Sequence, residues 1–244
     1  MMPDYARVPA PLEWLRRLLR RGAAFRKVSA MLSVTELVQR VADTAHYYIG
    51  RVAYGPHAEK RQWARVELNR EFDAFFDGLD QVALSVAEVS GTQYSQRPWR
   101  SYAALEYPDF DLCQPPRQTE TYDLVICNQV LEHVVDPMRA ARTLHDICKP
   151  GGTVVVGTPF LLRVHFHPGD YWRFTEDGMR VLLEHAGLEV LSTHSWGNRG
   201  CVKANLRSAT RWAFYWPWRS LRNDPLLPIV VWAYATRTAS DSGA

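Results

Sequence analysis

The chain has 244 residues, 47% of them hydrophobic, which is enough for one α/β domain with appendages. Its 29 lysine and arginine residues exceed its 26 acidic residues by three, and this weak positive charge predicts no nucleic-acid partner. The four cysteines are far apart and form no CxxC pair, which favours a reduced protein in the cytoplasm. An apolar run over residues 226–235 contains Pro228 and is too short to cross a bilayer.

Residues 1–80 are predicted to form an N-terminal helical extension, with helices over residues 12–27, 31–49 and 57–77. The first helix is amphipathic and basic, and such a helix can lie on an anionic membrane surface. A solvated cationic face is the more common explanation of the same pattern. The arginines that would make a peripheral membrane contact are Arg16, Arg17, Arg20 and Arg21.

Residues 81–238 alternate between strand and helix patterns, and residues 239–244 form a polar tail that we expect to be disordered. Strands are predicted over residues 82–89, 101–107, 124–127, 153–156, 188–193 and 229–236. Helices are predicted over residues 137–148, 176–186 and 201–214. This order predicts an α/β fold with a Rossmann-like, mostly parallel sheet.

One β-α-β unit, over residues 122–159, locates the expected site. Asp136 and Pro137 supply an N-cap and a first-turn proline, and the KPGG sequence at residues 149–152 ends the helix. The flanking strands should be parallel, with a right-handed crossover. Ligands of such sheets bind beyond the carboxyl ends of the strands, so residues 128–133 and the segment after Thr158 are predicted to line the site.

The segment from Ser85 to about Arg237 resembles the class I S-adenosylmethionine-dependent methyltransferases, and it is especially similar to the branch described as methyltransferase type 11. The resemblance is carried by EHVVDP at residues 132–137, by KPGG at residues 149–152 and by residues 165–190. It implies that S-adenosylmethionine is the cofactor. It also implies an enzyme that transfers a methyl group to a small or amphiphilic acceptor, such as a hydroxyl of a sugar, a lipid or a secondary metabolite.

The resemblance also assigns cofactor-binding residues. In the family, an acid and a glycine-rich loop follow the first strand, a second acid binds the ribose hydroxyls, and a further pair contacts adenine. The residues that stand at these positions are Glu88, Ser90, Gly91 and Thr92 for the methionine end, Glu106 for the ribose, Asp111 and Leu112 for the adenine, and Asn128, Gln129 and Val130 after the next strand of the core.

Two spacings depart from the family pattern. Only ten residues separate Gly91 from Tyr102, too few for an ordinary crossover helix with its loops, and the interval from Glu106 to Asp111 is similarly short. We therefore expect trimmed early crossover helices. Because Ser90 also replaces a usual glycine, an alternative function is a catalytically silent relative that uses the same scaffold as a binding module.

The candidate catalytic residues are His133, His165, His167 and Asp170. A hydroxyl acceptor has a high pKa and benefits from a general base, and histidine suits that role best. Each candidate has a structural alternative. Glu88 could cap loop amides, His133 could bond a loop carbonyl, and Arg173 could pair an acid to fold the loop.

No metal is predicted, because the spacing His165-x-His167-x-x-Asp170 offers no fourth ligand and alternating residues of an extended loop point to opposite sides. An aromatic segment near the C-terminus could stack on a ligand, but such clusters more often close a hydrophobic core. Its members are Trp212, Phe214, Tyr215, Trp216 and Trp218.

Overall fold

A computed structural model describes residues 34–55, 61–116, 120–165, 169–207 and 212–239. The predicted basic helix over residues 12–27 and residues 240–244 of the predicted tail lie outside these ranges. Across the described ranges, every helix is too short or too polar to span a membrane.

Five α-helices are described, and two of them begin as the sequence predicts. Asp136 Oδ1 accepts a hydrogen bond from the Arg139 N–H at 2.9 Å, and Thr175 Oγ1 accepts one from the Gly178 N–H at 3.1 Å. The helices are α1 (Val34–Tyr54), α2 (Val66–Asp77), α3 (Pro137–Ile147), α4 (Glu176–His185) and α5 (Arg199–Arg207). Single 3-10 turns cover Trp63–Arg65, Gln81–Ala83 and Leu131–His133.

Six strands form one sheet, with the order β2-β1-β3-β4-β6-β5. The strands are β1 (Ser85–Val89), β2 (Ser101–Leu105), β3 (Tyr122–Asn128), β4 (Cys148–Pro159), β5 (Leu188–Trp196) and β6 (Val230–Arg237). The pairs β1–β2, β1–β3 and β3–β4 are parallel, whereas β6 is antiparallel to both β4 and β5. All strands except β6 therefore point the same way, which confirms the Rossmann-like, mostly parallel sheet.

The connection from β1 to β2 contains turns but no helix, so the predicted trimming of this crossover is confirmed. Helix α2 occupies the neighbouring face of the sheet. Its Phe76 contacts Tyr94 of the connection, with ring centroids 4.8 Å apart. Arg97 of the same connection pairs with Asp73 at 2.7 Å and with Asp77 at 2.6 Å. The short loop is therefore held against α2.

Each face of the sheet carries one hydrophobic cluster. Helices α3 and α4 cover one face, and α2 and α5 cover the other. Leu68, Phe72 and Phe76 of α2 are fully buried among residues of β1, β3 and β4. Burial of such side chains contributes about 1.5–3 kcal/mol each, so α2 is an integral part of the core.

Several predicted boundaries are corrected. The helix predicted over residues 57–77 is an α-helix only from Val66, because Trp63–Arg65 form a 3-10 turn. The strand predicted from residue 82 begins at Ser85, because Gln81–Ala83 form a 3-10 turn. Strand β4 begins at Cys148 rather than residue 153, because Cys148 already pairs with Tyr122. The last predicted helix is described only over Arg199–Arg207, and residues 208–211 lie outside the described ranges.

The aromatic segment joins α1 to the domain. Phe214 is buried and stacks on Tyr47 of α1, with ring centroids 5.4 Å apart. Trp216 lies 5.5 Å from Tyr54 by the same measure, and Trp218 stacks on Trp216 while remaining 71% exposed. Phe214 thus belongs to the core, whereas Trp212, Tyr215 and Trp216 are half-buried and Trp218 is exposed.

Candidate active site

The carboxyl ends of β1, β2, β3 and β4 meet at one edge of the sheet, where the parallel topology predicts a ligand site. Residues 88–92 and 128–133 span the ends of β1 and β3, residues 106–112 follow β2, and the loop after β4 begins at the same edge. The predicted cofactor residues and the described catalytic candidates therefore lie on adjacent connections.

Glu88 organises the loop after β1. Its carboxylate accepts hydrogen bonds from the N–H groups of Gln93 at 2.9 Å and Tyr94 at 3.0 Å, and from the Tyr102 hydroxyl at 2.7 Å. The residue is only 3% exposed. The capping alternative is therefore the one observed.

The backbone of this loop explains its single glycine. A Cβ atom on Gly91 would stand 2.8 Å from Glu88 Oε1, so a larger residue would displace the carboxylate. Ser90 has a φ of 51°, in the left-handed region that usually favours glycine. Ser90 thus adopts a backbone conformation that is easiest for glycine, and Thr92 is exposed at the loop surface.

Glu106 is exposed directly after β2, and its position next to the β1 loop is shown by the Ser90 N–H, which donates to the Leu105 carbonyl at 2.9 Å. Asp111 Oδ1 accepts a hydrogen bond from the Cys113 N–H at 2.8 Å. The Leu112 side chain is buried in the core. Contact between Leu112 and adenine would therefore use its backbone.

Buried polar atoms without partners follow β3. Asn128 Oδ1 and Gln129 Nε2 are buried and have no hydrogen-bond partner among the described residues. Gln129 has a φ of 61°, and its N–H donates to the Gly157 carbonyl at 2.7 Å. The Val130 side chain is buried in the core. Asn128 Oδ1 could accept a hydrogen bond from an amino group, and Gln129 Nε2 could donate one to a carboxylate. A methionine moiety carries both groups.

Arg65 is a site residue that the sequence did not indicate. It lies before α2 and donates from Nη2 to Gln129 Oε1 at 3.4 Å, across 64 positions of the chain. No local motif marks it, because its role depends on α2 packing against the sheet.

Glu132, His133 and His165 form what we call the acid–histidine cluster. One ligand atom of each residue lies within 4.8 Å of the others, and Glu132 Oε1 is 3.6 Å from His133 Nε2. His133 Nδ1 bonds the Gly169 carbonyl. Because a carbonyl only accepts, Nδ1 carries the proton and the Nε2 lone pair is directed toward the cluster.

Glu132 is fully buried, and neither carboxylate oxygen has a hydrogen-bond partner among the described residues. Burial raises the pKa of Glu132 to about 7. Burial also lowers the pKa of His165, so this imidazole is neutral. The cluster can therefore accept a proton or bind a cation.

Asp170 supports the cluster from behind. It accepts a hydrogen bond from the His165 N–H at 2.7 Å and forms a bidentate pair with Arg173. Burial alone would raise the pKa of Asp170, but the Arg173 guanidinium and the His165 N–H hold it below its usual value. The structural alternative for Arg173 is thus observed, and Asp170, predicted as catalytic, is buried and paired with Arg173. His167 lies outside the described residues.

Aromatic side chains surround this loop. The Trp212 ring centroid is 5.3 Å from that of His165, and Arg163 Cζ lies 4.6 Å from the Trp212 centroid. On the opposite side, Trp172 Nε1 donates to the Val134 carbonyl at 3.0 Å, and the Tyr171 N–H donates to the Glu132 carbonyl at 2.7 Å. The loop after β4 is thereby fixed against the 3-10 turn that carries the cluster.

The fold and this site edge define a Rossmann-like methyltransferase scaffold. A family profile described as a methyltransferase domain matches residues 48–193. The chain belongs to this family, that of the class I S-adenosylmethionine-dependent methyltransferases, and S-adenosylmethionine is the family's cofactor.

Curated relatives are similar over part of the chain. The ubiquinone biosynthesis O-methyltransferase of Marinobacter nauticus is 28% identical over 136 residues, covering 48% of this chain and 56% of the relative. That of Aliivibrio fischeri is 34% identical over 82 residues, covering 33% and 35%. The chain spans about half, or less, of the length of the curated relatives it matches.

Among solved structures, phosphoethanolamine N-methyltransferase 2 of Haemonchus contortus in complex with S-adenosyl-L-methionine matches with a TM-score of 0.47 and 9% identity. The match covers 70% of this chain and 52% of that one.

Proposed function

We propose that this chain transfers the methyl group of S-adenosylmethionine to a hydroxyl oxygen of an amphiphilic acceptor. The observation that carries the proposal is the acid–histidine cluster beside the strand ends where Asn128 Oδ1 and Gln129 Nε2 lack partners. Asn128 and Gln129 suit binding of the methyl donor, and the acid–histidine cluster suits activation of a hydroxyl.

The residues suited to binding S-adenosylmethionine lie along the carboxyl edge of the sheet. Glu106 would accept hydrogen bonds from the ribose diol, and the 106–112 connection, with Asp111, would contact the adenine. Asn128 and Gln129 would satisfy their orphaned atoms on the methionine amino and carboxylate groups. Gly91 and Thr92 would offer their backbone N–H groups in a loop conformation fixed by Glu88.

When bound, S-adenosylmethionine supplies an electrophilic methyl group. The acceptor oxygen would bond to the methyl carbon as the carbon–sulfur bond breaks, and the electron pair of that bond would stay on sulfur. The acid–histidine cluster would hold that oxygen and remove its proton. Arg173 and Asp170 keep the His165 backbone in place, so the acceptor meets a preorganised group.

An apolar groove beside the cluster supports an amphiphilic acceptor. Its volume is about 600 Å³, and it begins two residues after His133. Val135 is 69% exposed, Val181 61% and Trp172 40%, which is unusual for side chains of this kind on one surface. The groove is lined by Val135, Asp136, Pro137, Met138, Trp172, Phe174, Gly178, Val181 and Leu182. The relatives' names, which place O-methylation in ubiquinone biosynthesis, are consistent with a hydroxyl on an apolar molecule.

The test is product formation with phenols that carry alkyl chains of increasing length, followed by detection of S-adenosylhomocysteine and of the methyl ether. We expect KM for the phenol to fall as the chain lengthens. Val181→Arg should raise that KM at least tenfold, whereas Val82→Arg, which changes an equally exposed valine outside the groove, should leave it unchanged. Equal turnover of short and long phenols by all three proteins would contradict binding of the acceptor's apolar part in the groove.

A second candidate, a silent binding module, is favoured by the missing β1–β2 helix. It predicts no turnover of any hydroxyl acceptor, so the same assay separates the two. The described cysteines form no disulfide, which suits a reaction in a reducing compartment such as the cytoplasm.

A further inference from the structure

Another cavity lies where the start of α5 meets the segment before β6, and arginine and tryptophan side chains line it. Its volume is about 650 Å³, which is within the range of pockets that hold small organic ligands. It shares no lining residue with the groove beside the acid–histidine cluster or with the predicted cofactor residues. We call it the arginine–tryptophan pocket, after its members Trp63, Arg199, Trp218, Arg219 and Arg222.

The pocket carries a net positive charge. Arg199, Arg219 and Arg222 line it, and Asp224 supplies the one carboxylate among its described lining residues. Arg199 and Arg222 are exposed, and neither guanidinium forms an ion pair or a hydrogen bond with another described residue. The Asp224 carboxylate accepts a hydrogen bond from the Leu226 N–H at 3.2 Å. Positive charge gathered in one concave region attracts an anionic ligand.

Trp218 offers a flat surface for a ring at the same pocket. Its indole stacks on that of Trp216, with ring centroids 5.3 Å apart and ring planes 3° from parallel. Trp216 lies against Tyr54 of α1 in turn, with centroids 5.5 Å apart. Trp218 is nevertheless 71% exposed, so one face of its indole remains open to a ligand. A tryptophan held in this way is suited to stacking on a second planar ring.

Buried polar side chains fix the segment over residues 218–222, which carries most of the pocket. Asn198 is 9% exposed, and its Nδ2 donates to the carbonyls of Ser220 at 3.0 Å and Arg222 at 3.2 Å. The indole N–H of the buried Trp63 donates to the Ser220 carbonyl at 3.2 Å. The backbone that presents the arginines and Trp218 is therefore ordered before a ligand binds, which lowers the entropy cost of binding.

The two kinds of side chain select a class of ligand. A guanidinium group binds phosphate oxygens through parallel hydrogen bonds, and Arg199 and Arg222 lie on different elements, which suits a ligand with two phosphate groups. An exposed indole stacks on any heterocyclic base, because every base has a flat aromatic face. Nucleoside diphosphates carry both parts in one molecule of suitable size.

We propose that the arginine–tryptophan pocket binds a nucleoside diphosphate, with the base stacked on Trp218 and the phosphate groups at Arg199 and Arg222. Arg219, whose Cζ lies 4.5 Å from the Trp63 ring centroid, adds positive charge to the same site. This binding is noncovalent and uses none of the residues assigned to methyl transfer, so it does not rest on the proposed function.

The experiment titrates the 244-residue chain with GDP by calorimetry, because guanine differs from the adenine of the cofactor. We expect one equivalent of GDP to bind, with a dissociation constant below about 100 μM. Guanosine and pyrophosphate each carry one half of the ligand, and each should bind about tenfold more weakly than GDP or worse. Equal affinities for GDP and pyrophosphate would overturn the assignment of the base to Trp218.

Variants separate the two halves of the site. Trp218→Ala should weaken GDP binding about fivefold or more and leave pyrophosphate binding unchanged. Arg199→Gln and Arg222→Gln should each weaken binding of both ligands about tenfold. Arg207→Gln, an exposed arginine at the other end of α5, is the matched control and should bind GDP like the unaltered protein. Thermal unfolding checks that each variant folds, and equal GDP affinity in all five proteins would overturn the proposal.

Hydrogen exchange of the unaltered protein tests the location without any variant. GDP should slow exchange of the backbone amides over residues 218–225. Protection over residues 88–92 and 106–112 instead, or displacement of GDP by saturating S-adenosylmethionine, would place GDP in the cofactor site and overturn the proposal. Binding of phosphatidylglycerol vesicles that is lost in Arg222→Gln, with no heat from GDP, would identify an anionic lipid surface and would also overturn it.

Discussion

Gly157 lies opposite Asn128 in the β3–β4 pair, and a Cβ atom on Gly157 would stand 2.7 Å from Asn128 Oδ1. The same Cβ would be 3.3 Å from Phe72 Cζ of α2. This glycine therefore leaves room for Asn128 Oδ1, which has no hydrogen-bond partner among the described residues, and it lets α2 approach the sheet.

Gly157→Ala should displace the Asn128 side chain and weaken S-adenosylmethionine binding at least tenfold. It should also lower the free energy of unfolding by about 1–3 kcal/mol, because the site is overpacked. Calorimetric titration and denaturant unfolding measure the two effects. Gly78→Ala, where the new Cβ would meet the Phe75 carbonyl oxygen at an ordinary 3.4 Å, is the control and should change neither by much. An unchanged cofactor affinity in Gly157→Ala would contradict the role given to Asn128.

Glu88→Gln should loosen the loop after β1, because one amide cannot accept all three hydrogen bonds that the carboxylate accepts from Gln93, Tyr94 and Tyr102. We expect a loss of about 2 kcal/mol in the free energy of unfolding and weaker cofactor binding. Tyr102→Phe removes one of the three bonds and should cost about 1 kcal/mol. Faster amide hydrogen exchange over residues 90–95 in Glu88→Gln would report the loosening directly, and unchanged exchange there would refute it.

Titration of the Asp123 carboxyl should make the free energy of unfolding depend on pH in the acid range. Burial alone would raise its pKa, but hydrogen bonds from the Ser85 hydroxyl and N–H and from Lys149 Nζ lower it from 3.8 to about 2. A lowered folded-state pKa stabilises the fold above the unfolded pKa. This contribution, about 2 kcal/mol, is lost as pH falls from about 4 toward 2.

Denaturant unfolding at several pH values checks this. Asp123→Asn should be less stable at neutral pH, and its free energy of unfolding should change less with pH below about 4. Asp80→Asn, at an exposed acid, should keep the original profile. Matching profiles for Asp123→Asn and the unaltered chain would count against the linkage.

Glu132→Leu should stabilise the fold by about 1 kcal/mol, because a buried carboxyl without hydrogen bonds to the described residues is replaced by an apolar side chain of similar size. The activity on a hydroxyl acceptor should be lost in the same variant. Glu176→Leu is the contrast, since Glu176 accepts a hydrogen bond from the Ser195 hydroxyl and that variant should be less stable. A lower melting temperature for Glu132→Leu would show that the carboxyl stabilises the fold.

Much of the fold follows from local sequence signals. Asp136 caps α3 as predicted, the helix predicted from residue 176 begins there, and the short interval between Gly91 and Tyr102 correctly predicts a missing crossover helix. These signals are readable because a cap or a spacing involves residues that are near one another in the chain.

The site depended on contacts that no local pattern records. Arg65 reaches Gln129 only because α2 packs on the sheet, and Glu132 meets His165 only because the loop after β4 folds back. The sequence pattern indicated His165, His167 and Asp170 by their spacing. In the structure, the buried Glu132 lies in the acid–histidine cluster, and Asp170 contacts that cluster through His165.

The most direct test of the account is calorimetric titration of the unaltered chain and of Glu106→Ala with S-adenosylmethionine. We predict micromolar binding to the unaltered chain and at least tenfold weaker binding to Glu106→Ala, since the carboxylate after β2 would hold the ribose diol. Absence of binding to the unaltered chain at high micromolar concentration would contradict a cofactor site at the carboxyl edge of the sheet.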